Sequence, residues 1–306
     1  MANLVNSTLG AGNHLKQITI EDKEIFDKYA SPTIINSEYQ FSTLFAWAEK
    51  YNFSYEEYDN TLYIFGTQNN GNLQCYYPLG TSSLKKSIEY IQSVFIQNEM
   101  PLNLRPLSHE MLHAILPHIV LPIKIGTKPS YTDYICDYST LVNYSGASYK
   151  RKRKLANSFY KKYMFHYKSL SENNIDIAIR GLYDILLNSS NGVDPDEWNA
   201  YLRILTNYKK LNLRGGMIFI NNELVGISVA EPYFDNIMLL IRRCNKKYDG
   251  IYPAMLQLVL FHEFSDRNYC YVNLQDDMGI ENIRNTKLSY KPVILLQKYF
   301  IIEECG

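Results

Sequence analysis

The chain has 306 residues, which is enough for one large domain or two of ordinary size with a substantial core. Hydrophobic residues make up 46% and charged residues 20%, a composition that excludes a disordered or fibrous protein. Lysine plus arginine equals aspartate plus glutamate at 31 each, so any binding to nucleic acid or anionic lipid has to be local.

Helices and paired strands are predicted to alternate in the first half. The hydrophobic periodicity predicts helices over residues 21–30, 41–51 and 82–98, and strands over 53–58, 61–66 and 73–78. Asn69-Asn70-Gly71-Asn72 tolerates positive φ, which predicts a hairpin between the last two of these strands. A further short helix and a strand are expected in the proline-bearing segment 101–122.

The same kinds of elements start again after a polar break at residues 126–130, so we predict two domains, 1–126 and 127–306. Asp194-Pro195 with Glu197 has the form of a capped helix start. Strands are predicted over 131–137, 165–169, 214–220, 224–232, 236–243, 269–274 and 293–300, and helices over 148–163, 174–188, 253–264 and 278–290. This order predicts an α/β (α+β) protein with mixed sheets.

The sequence shows no sign of export or membrane insertion. Residues 1–12 lack the basic start and apolar core of a secretory signal. No stretch approaches the roughly 20 apolar residues that span a bilayer. The five cysteines have no CxxC spacing, and four lie in apolar or strand-like segments where buried free thiols are expected. We therefore expect a cytoplasmic protein without disulfides, a metal site or an integral membrane association.

Several segments resemble the family named for the C-terminal domain of phosphatidylglycerol lysyltransferase, which is related to the Fem aminoacyltransferases. The residues that carry the resemblance are Phe45-Ala-Trp47, Tyr77-Pro78-Leu79-Gly80, Tyr134-Ile-Cys-Asp137 with Leu141, Tyr149-Lys-Arg-Lys-Arg153, Asn157-Ser-Phe159, Asp249-Gly250-Ile-Tyr252, Gln257, Val272-Asn273-Leu-Gln-Asp276-Asp277-Met-Gly279-Ile280, Arg284, Lys287-Leu-Ser-Tyr290-Lys-Pro292 and Lys298-Tyr299. The similarity covers nearly the whole chain.

This resemblance implies two tandem GNAT (acyl-CoA N-acyltransferase)-like domains, each a mixed, largely antiparallel sheet flanked by helices, with the active cleft in the second. Characterised relatives pass an aminoacyl group from aminoacyl-tRNA to a lipid headgroup or a peptidoglycan amine. The resemblance thus implies charged tRNA as the donor and no required cofactor. Because the chain lacks a membrane-embedded portion, a soluble acceptor becomes more plausible than a lipid.

Acyl-CoA is the alternative donor. Acyl-CoA enzymes of this fold hold the pyrophosphate on backbone N–H groups of a glycine-rich loop that opens a helix. The corresponding loop here, residues 247–252, keeps Gly250 but has Tyr252 in place of a second small residue, which would crowd a phosphate. Gly250 is equally interpreted as a turn residue before a helix, and Tyr252 as a substrate-stacking group or acid.

A basic helix is the candidate site for a phosphate-rich donor. Its cations are Lys150, Arg151, Lys152, Arg153, Lys154, Lys161 and Lys162, of which Lys150, Lys154 and Lys161 share one face. These residues suit tRNA, or they form a solvated surface without a ligand. DNA is not an expected partner. Arg242 and Arg243 are adjacent in a predicted strand and point to opposite faces, so one can enter the cleft.

The segment after residue 272 carries the candidate chemistry. Asn273, Asp276 and Asp277 follow a strand end, where a carboxylate can orient an attacking amine or accept its proton; the alternative is a cap and turn for the next helix. Arg284, Lys287 and Tyr290 are spaced three apart on that helix. Lys287 can stabilise an oxyanion or pair with an acid such as Glu281, and Tyr290 can act as an acid.

The leading hypothesis is direct transfer of an acyl or aminoacyl group to an amine or hydroxyl in a ternary complex. The alternatives are acyl-CoA-dependent N-acetyl transfer and a non-catalytic nucleotide- or RNA-binding protein of the same fold. A third hypothesis is a zinc hydrolase, since His109-Glu110-Met-Leu-His113 has the His-Glu-x-x-His spacing. Oligomeric state is not indicated by the sequence.

Overall fold

A computed structural model of the chain describes residues 15–190 and 192–304, so the expectations for residues 1–12 and for Cys305 lie outside it. Ten α-helices are assigned in this part of the chain: α1 Lys23–Lys28, α2 Phe41–Ala46, α3 Leu84–Gln97, α4 His109–Ile115, α5 Tyr138–Asn143, α6 Lys150–Lys162, α7 Ile175–Leu187, α8 Pro195–Thr206, α9 Ile251–Glu263 and α10 Glu281–Leu288. None of them combines the length and apolar composition that crossing a membrane requires.

Fifteen strands are assigned over the same residues: β1 Lys16–Gln17, β2 Ser54–Tyr58, β3 Thr61–Thr67, β4 Leu73–Cys75, β5 Leu79–Gly80, β6 Asn103–Leu107, β7 Ile123–Thr127, β8 Asp133–Asp137, β9 His166–Ser169, β10 Arg214–Ile220, β11 Glu223–Tyr233, β12 Asn236–Cys244, β13 Tyr271–Asn273, β14 Ile294–Leu296 and β15 Tyr299–Glu303. Short 3₁₀ turns connect several elements.

The described chain forms two compact units. The first holds residues 15–31, 47–131 and 297–304, and the second holds 32–46 and 132–296. This division differs from the predicted boundary at residue 126 in the placement of two segments. Residues 32–46 lie with the second unit, and the chain's last strand lies with the first. The assignment of each half as a GNAT-like domain stays a prediction.

The first unit contains one sheet in the order β1-β2-β3-β4-β6-β15-β7, with β5 also paired to β3. All neighbours are antiparallel except β4 and β6. The predicted hairpin between β3 and β4 is confirmed, with Thr67 opposite Leu73. Helix α3 buries Ile88, Ile91 and Phe95, as its periodicity predicts.

The second unit contains a sheet in the order β14-β8-β13-β12-β11-β10-β9, in which only β12 and β13 run parallel. The predicted succession of three antiparallel strands is confirmed as β10, β11 and β12. The predicted fold class, α/β with mixed, largely antiparallel sheets flanked by helices, is likewise confirmed.

Helices cover both faces of this second sheet. Side chains of consecutive strand residues point to opposite faces: Val225 joins the buried core that contains α9, whereas Leu224 lies against Gly181 of α7. Helix α9 buries residues around most of its circumference because it packs against the sheet and also against α5 and α6. Asp194 caps α8 as predicted, since its carboxylate accepts the Glu197 N–H at 2.9 Å.

A polar clasp explains why residues 32–46 belong to the second unit. Asp133, which is fully buried at the start of β8, accepts hydrogen bonds from the Ser37 N–H at 2.8 Å and the Ser37 hydroxyl at 2.9 Å. Asn273 donates to the same carboxylate and to the Ile35 carbonyl, both at 2.9 Å. The early segment is thereby fixed to the strands that carry the candidate site.

Two local predictions were wrong. Residues 293–300 were expected to form one strand, but β14 lies in the second sheet and β15 in the first, because periodicity indicates extended chain and not the sheet it joins. Of the described cysteines, Cys75, Cys136 and Cys244 are buried free thiols as expected, whereas Cys270 is exposed.

Candidate active site

The loop between β13 and α10 places Lys287 beside Asp276. The Lys287 ammonium donates a hydrogen bond to the backbone carbonyl of Asp276 and makes no ion pair with Glu281. The pKa of Lys287 is lowered to about 8, because burial and the nearby Arg242 together outweigh the opposing effect of the Asp276 carboxylate. Lys287 is therefore a half-buried amine that can hold or release a proton near neutral pH.

Asp277 has a different environment from its neighbour. Its carboxylate is fully buried and accepts hydrogen bonds from Tyr134 at 2.5 Å, Gly279 N–H at 2.8 Å and Arg284 Nε at 2.8 Å. Burial raises the pKa of Asp277, but the hydrogen bonds from Arg284 and Tyr134 outweigh it and hold the pKa below its usual value. These partners make Asp277 an anchor of the loop, and they engage Arg284 as well.

Neither aspartate caps α10, whose N-cap residue is Ile280. Both instead support the turn that precedes the helix: Asp276 accepts the Met278 N–H at 2.9 Å, and Asp277 accepts that of Gly279. Asp276 is only partly buried, so it remains the better candidate for chemistry. The predicted turn is confirmed, and the predicted cap is wrong.

The side chain of Asn273 is held by hydrogen bonds within the protein. Besides its two donor contacts in the polar clasp, its side-chain oxygen accepts the Gln275 N–H at 2.7 Å. The side chain is buried. The structure thus gives Asn273 internal partners on both ends of its amide, and substrate binding by this residue gains no support.

Tyr290 lies at the centre of a cationic cluster. Its ring is buried, with Lys152 Nζ 3.7 Å and Arg242 Cζ 5.1 Å from the ring centroid. Its backbone carbonyl accepts the Tyr149 hydroxyl at 2.7 Å. Burial raises the pKa of the Tyr290 phenol. Tyr290 therefore contacts the two cations with its aromatic ring, and its hydroxyl does not ionise readily.

Arg242 and Arg243 point to opposite faces of the sheet, as their adjacency in β12 predicts. Arg243 pairs with Glu197 of α8 and donates to the Tyr201 hydroxyl at 3.0 Å, which makes it a structural residue. Arg242 faces Tyr290, and its Nη1 atom is buried without a hydrogen bond. Only Arg242 therefore joins the candidate site.

Helix α6 separates its cations in the same way. Lys150, Arg151, Lys154 and Lys161 are exposed, whereas Arg153 donates to the carbonyls of Tyr144 and Gly146 and closes the end of α5. Lys152 points inward with Tyr149, Ala156 and Phe159, whereas the sequence pattern placed it among the cations of this helix without distinguishing it from the exposed ones. Its position, two residues from Lys150 and so on the opposite side of the helix, was the signal that could have found it.

The start of α9 is poorly suited to a pyrophosphate. Gly250 has φ +80°, and a Cβ placed on it would lie 2.2 Å from the Leu155 carbonyl oxygen of α6. The Ile251 N–H already donates to Tyr248 O at 3.2 Å, and Pro253 has no N–H. Tyr252 is half-buried, and its phenol lies close enough to Arg242 and Arg243 to interact with their charges. Gly250 is accordingly explained by helix packing.

The His-Glu-x-x-His segment lies on α4 in the first unit. The Nε2 atoms of His109 and His113 are 3.0 Å apart, and Glu110 instead accepts the Ser108 hydroxyl at 2.8 Å. Within residues 15–190 and 192–304, no group of three His, Cys, Asp or Glu side chains is arranged to hold a metal ion. The zinc-hydrolase hypothesis gains no support.

Comparison with solved structures defines the fold first. A conserved protein of unknown function from Bacteroides thetaiotaomicron superposes with a TM-score of 0.85 at 23% identity, covering 95% of this chain and 99% of that one. L-PGS from Bacillus licheniformis superposes with a TM-score of 0.61 at 18% identity, covering 85% and 91% of the two chains.

The family follows from the sequence match. The family described as phosphatidylglycerol lysyltransferase, C-terminal, matches residues 33–302, and the chain belongs to it. An uncharacterized protein of Mycoplasmoides gallisepticum is 25% identical over 182 residues, which are 58% of this chain and 58% of that protein. The resemblance inferred from the sequence is confirmed.

Proposed function

We propose that this protein transfers an aminoacyl group from aminoacyl-tRNA to an amine or hydroxyl of a soluble or lipid-headgroup acceptor. Membership in a lysyltransferase family supports the reaction class. The observation that carries the proposal within the structure is Lys287, a half-buried lysine of α10 whose ammonium donates to the Asp276 carbonyl in the loop after β13 and whose pKa is lowered to about 8. The cytoplasm, where charged tRNA is made, is the proposed location.

In this scheme the acceptor nitrogen or oxygen attacks the ester carbonyl of the aminoacyl-tRNA directly. A C–N or C–O bond forms, and the bond between the carbonyl carbon and the ribose oxygen breaks. The Lys287 ammonium stabilises the negative charge that develops on the carbonyl oxygen. The proton lost by the acceptor passes, with Asp276 as its relay, to the leaving ribose oxygen, which departs as a hydroxyl.

The exposed cations of α6 support tRNA as the donor, since Lys150, Arg151, Lys154 and Lys161 are free to meet phosphates. Acyl-CoA is less well supported because the α9 N-terminus offers few unpaired N–H groups and packs closely on α6. No observation favours the non-catalytic alternative over transfer.

The test is a transfer assay with tRNA carrying a radiolabelled lysyl group, supplied with phosphatidylglycerol vesicles in one arm and soluble amines in the other. We expect label to leave tRNA and appear in one acceptor pool, and Lys287→Met to lower the rate by about 10²–10³-fold. Lys168→Met, an exposed lysine of β9, is the matched control. Equal rates for Lys287→Met and the wild type would remove Lys287 from the mechanism.

A further inference from the structure

Two cations of the second unit converge on one buried aromatic ring. Lys152 reaches it from α6 and Arg242 from β12, with their charged groups 3.7 Å and 5.1 Å from the Tyr290 ring centroid. Like charges on two different elements are not brought together without a cost, because each raises the energy of the other in a site of low dielectric.

No carboxylate compensates this pair. In the part of the chain that the structure describes, neither Lys152 nor Arg242 forms an ion pair with an acid, and Arg242 Nη1 is buried without any hydrogen bond. The groups that act on Lys152 are Arg242, Arg151 and Cys136, and those on Arg242 are Tyr290, Tyr144, Cys244 and Tyr252. Lys287 differs, since Asp276, Asp133 and Asp277 act on it.

The protonation of Lys152 reflects this imbalance. Burial, with Arg242 and Arg151 adding to it, lowers the pKa of Lys152 to about 8. An unpaired buried guanidinium nitrogen beside it is an unsatisfied donor, which costs stability unless something else supplies the acceptor. An anion that binds both cations would supply the missing acceptor and offset their mutual repulsion.

We infer that Lys152 and Arg242 form a subsite for a phosphoryl group, held over Tyr290. A phosphoryl group offers several acceptor oxygens, enough to take one bond from the ammonium and one from Arg242 Nη1. The aminoacyl group itself carries a cationic α-amine and is repelled from this place, so the subsite takes a different part of a substrate. The existence of the subsite does not depend on the proposed function. The identity of the substrate that supplies the phosphoryl group does.

The experiment measures phosphate binding to the full chain by thermal shift and calorimetry at pH 7 and fixed ionic strength, with inorganic phosphate as the probe and acetate as the comparison anion. We expect phosphate to raise the melting temperature of the wild type more than acetate does. In Lys152→Met and Arg242→Met the phosphate affinity falls by roughly tenfold or more. Lys168→Met retains the wild-type affinity.

A second measurement keeps the inference testable if one variant folds poorly. In protein with ¹³C-labelled lysines, phosphate raises the pKa of Lys152, because a bound anion favours its charged form. Unchanged Lys152 titration together with equal stabilisation of all variants by phosphate and acetate would overturn the subsite. Both outcomes are independent of aminoacyl transfer, so failure here leaves the proposed function standing.

Two further probes identify the source of the phosphoryl group. A CCA trinucleotide represents the donor end of tRNA, and glycerol 3-phosphate represents a lipid headgroup. Whichever competes with inorganic phosphate in the wild type but not in Lys152→Met carries the group that the subsite binds. Competition by neither, with phosphate binding intact, would overturn the assignment of the subsite to a transfer substrate.

Discussion

Adjacent carboxylates in the loop after β13 have different tasks. Asp277 is fully buried and accepts hydrogen bonds from Tyr134, Gly279 and Arg284. Asp276 is partly buried, and its carboxylate accepts the Met278 backbone N–H. Charge-assisted hydrogen bonds to a buried carboxylate contribute more to stability than a single exposed contact does. The same residue type therefore anchors the loop at one position, and at the next position we propose it for proton transfer.

Asp277→Asn is expected to lower the free energy of unfolding by about 1–3 kcal/mol at pH 7, measured by urea denaturation. Because the pKa of Asp277 is lowered in the folded protein, its contribution is complete at neutral pH and is lost as the pH falls through the folded pKa. Asp276→Asn is the matched control: it should change stability little and slow aminoacyl transfer. Equal destabilisation by both substitutions would contradict this division.

Lys152 gives the opposite stability effect. Its pKa is lowered from 10.5 to about 8, so the folded protein at pH 7 holds a charge that the unfolded chain solvates better. Lys152→Met should raise the free energy of unfolding by about 1–3 kcal/mol at pH 7. The difference between variant and wild type should disappear as the pH rises from about 8 towards 10.5.

Denaturation of both proteins at pH 7 and pH 10 checks this expectation, with Lys154→Met, an exposed cation of the same helix, as control. A destabilised Lys152→Met at pH 7 would show that Lys152 serves packing and not an anion.

At the scale of elements, the contact of α6 with α9 determines which residue can begin α9. Gly250 has φ +80° and lies with its Cα against the Leu155 carbonyl, so any side chain would separate the helices. Gly146 has φ +85° but nothing within 4 Å of where a Cβ would be. A side chain at Gly146 would meet backbone strain alone, whereas one at Gly250 would meet the same strain and a steric clash.

Gly146→Ala should cost about 1 kcal/mol, the strain of a left-handed conformation alone. Gly250→Ala should cost about 2–4 kcal/mol, since the clash with α6 adds to the same strain. Chemical denaturation measures both. Similar losses for the two variants would mean that α6 moves aside easily and that the start of α9 has room for a phosphate after all.

Sequence patterns predicted the helices and strands better than they predicted which strands pair with each other. Asp194 and Pro195 specify the start of α8 through local bonds, and the three strands β10 to β12 follow from turns between apolar runs. The assignment of β14 and β15 to different sheets could not be predicted, because periodicity carries no information on strand order. In the site, Lys287 was found from the sequence, whereas the approach of Lys152 to Tyr290 and the internal role of Asn273 depend on tertiary contacts.

At the scale of the whole molecule, each of the two compact units contains chain from both sides of residue 126. Strand β15 lies between β6 and β7 in the first sheet, and Ser37 from the early segment bonds to Asp133 in the second unit. A cut at residue 126 removes the interior strand β15 from the first sheet and the clasp from the second unit.

Fragments 1–126 and 127–306 expressed separately are therefore expected to lack cooperative unfolding, and the first should be the more affected because its sheet loses β15. The control is the full chain cleaved at the same position, in which both parts remain present. Circular dichroism and thermal melts provide the measurement. A cooperative melt for fragment 1–126 alone would support the simple tandem division.

The central claim, that this transferase-family chain uses charged tRNA, is tested most directly by calorimetry at one defined salt concentration, with aminoacyl-tRNA in one arm and acetyl-CoA in the other. We expect saturable binding of charged tRNA, weakened by the triple change Lys150→Glu, Lys154→Glu and Lys161→Glu but not by Lys85→Glu, Lys86→Glu and Lys124→Glu, which alter net charge equally. Saturable binding of acetyl-CoA without binding of tRNA would contradict the account.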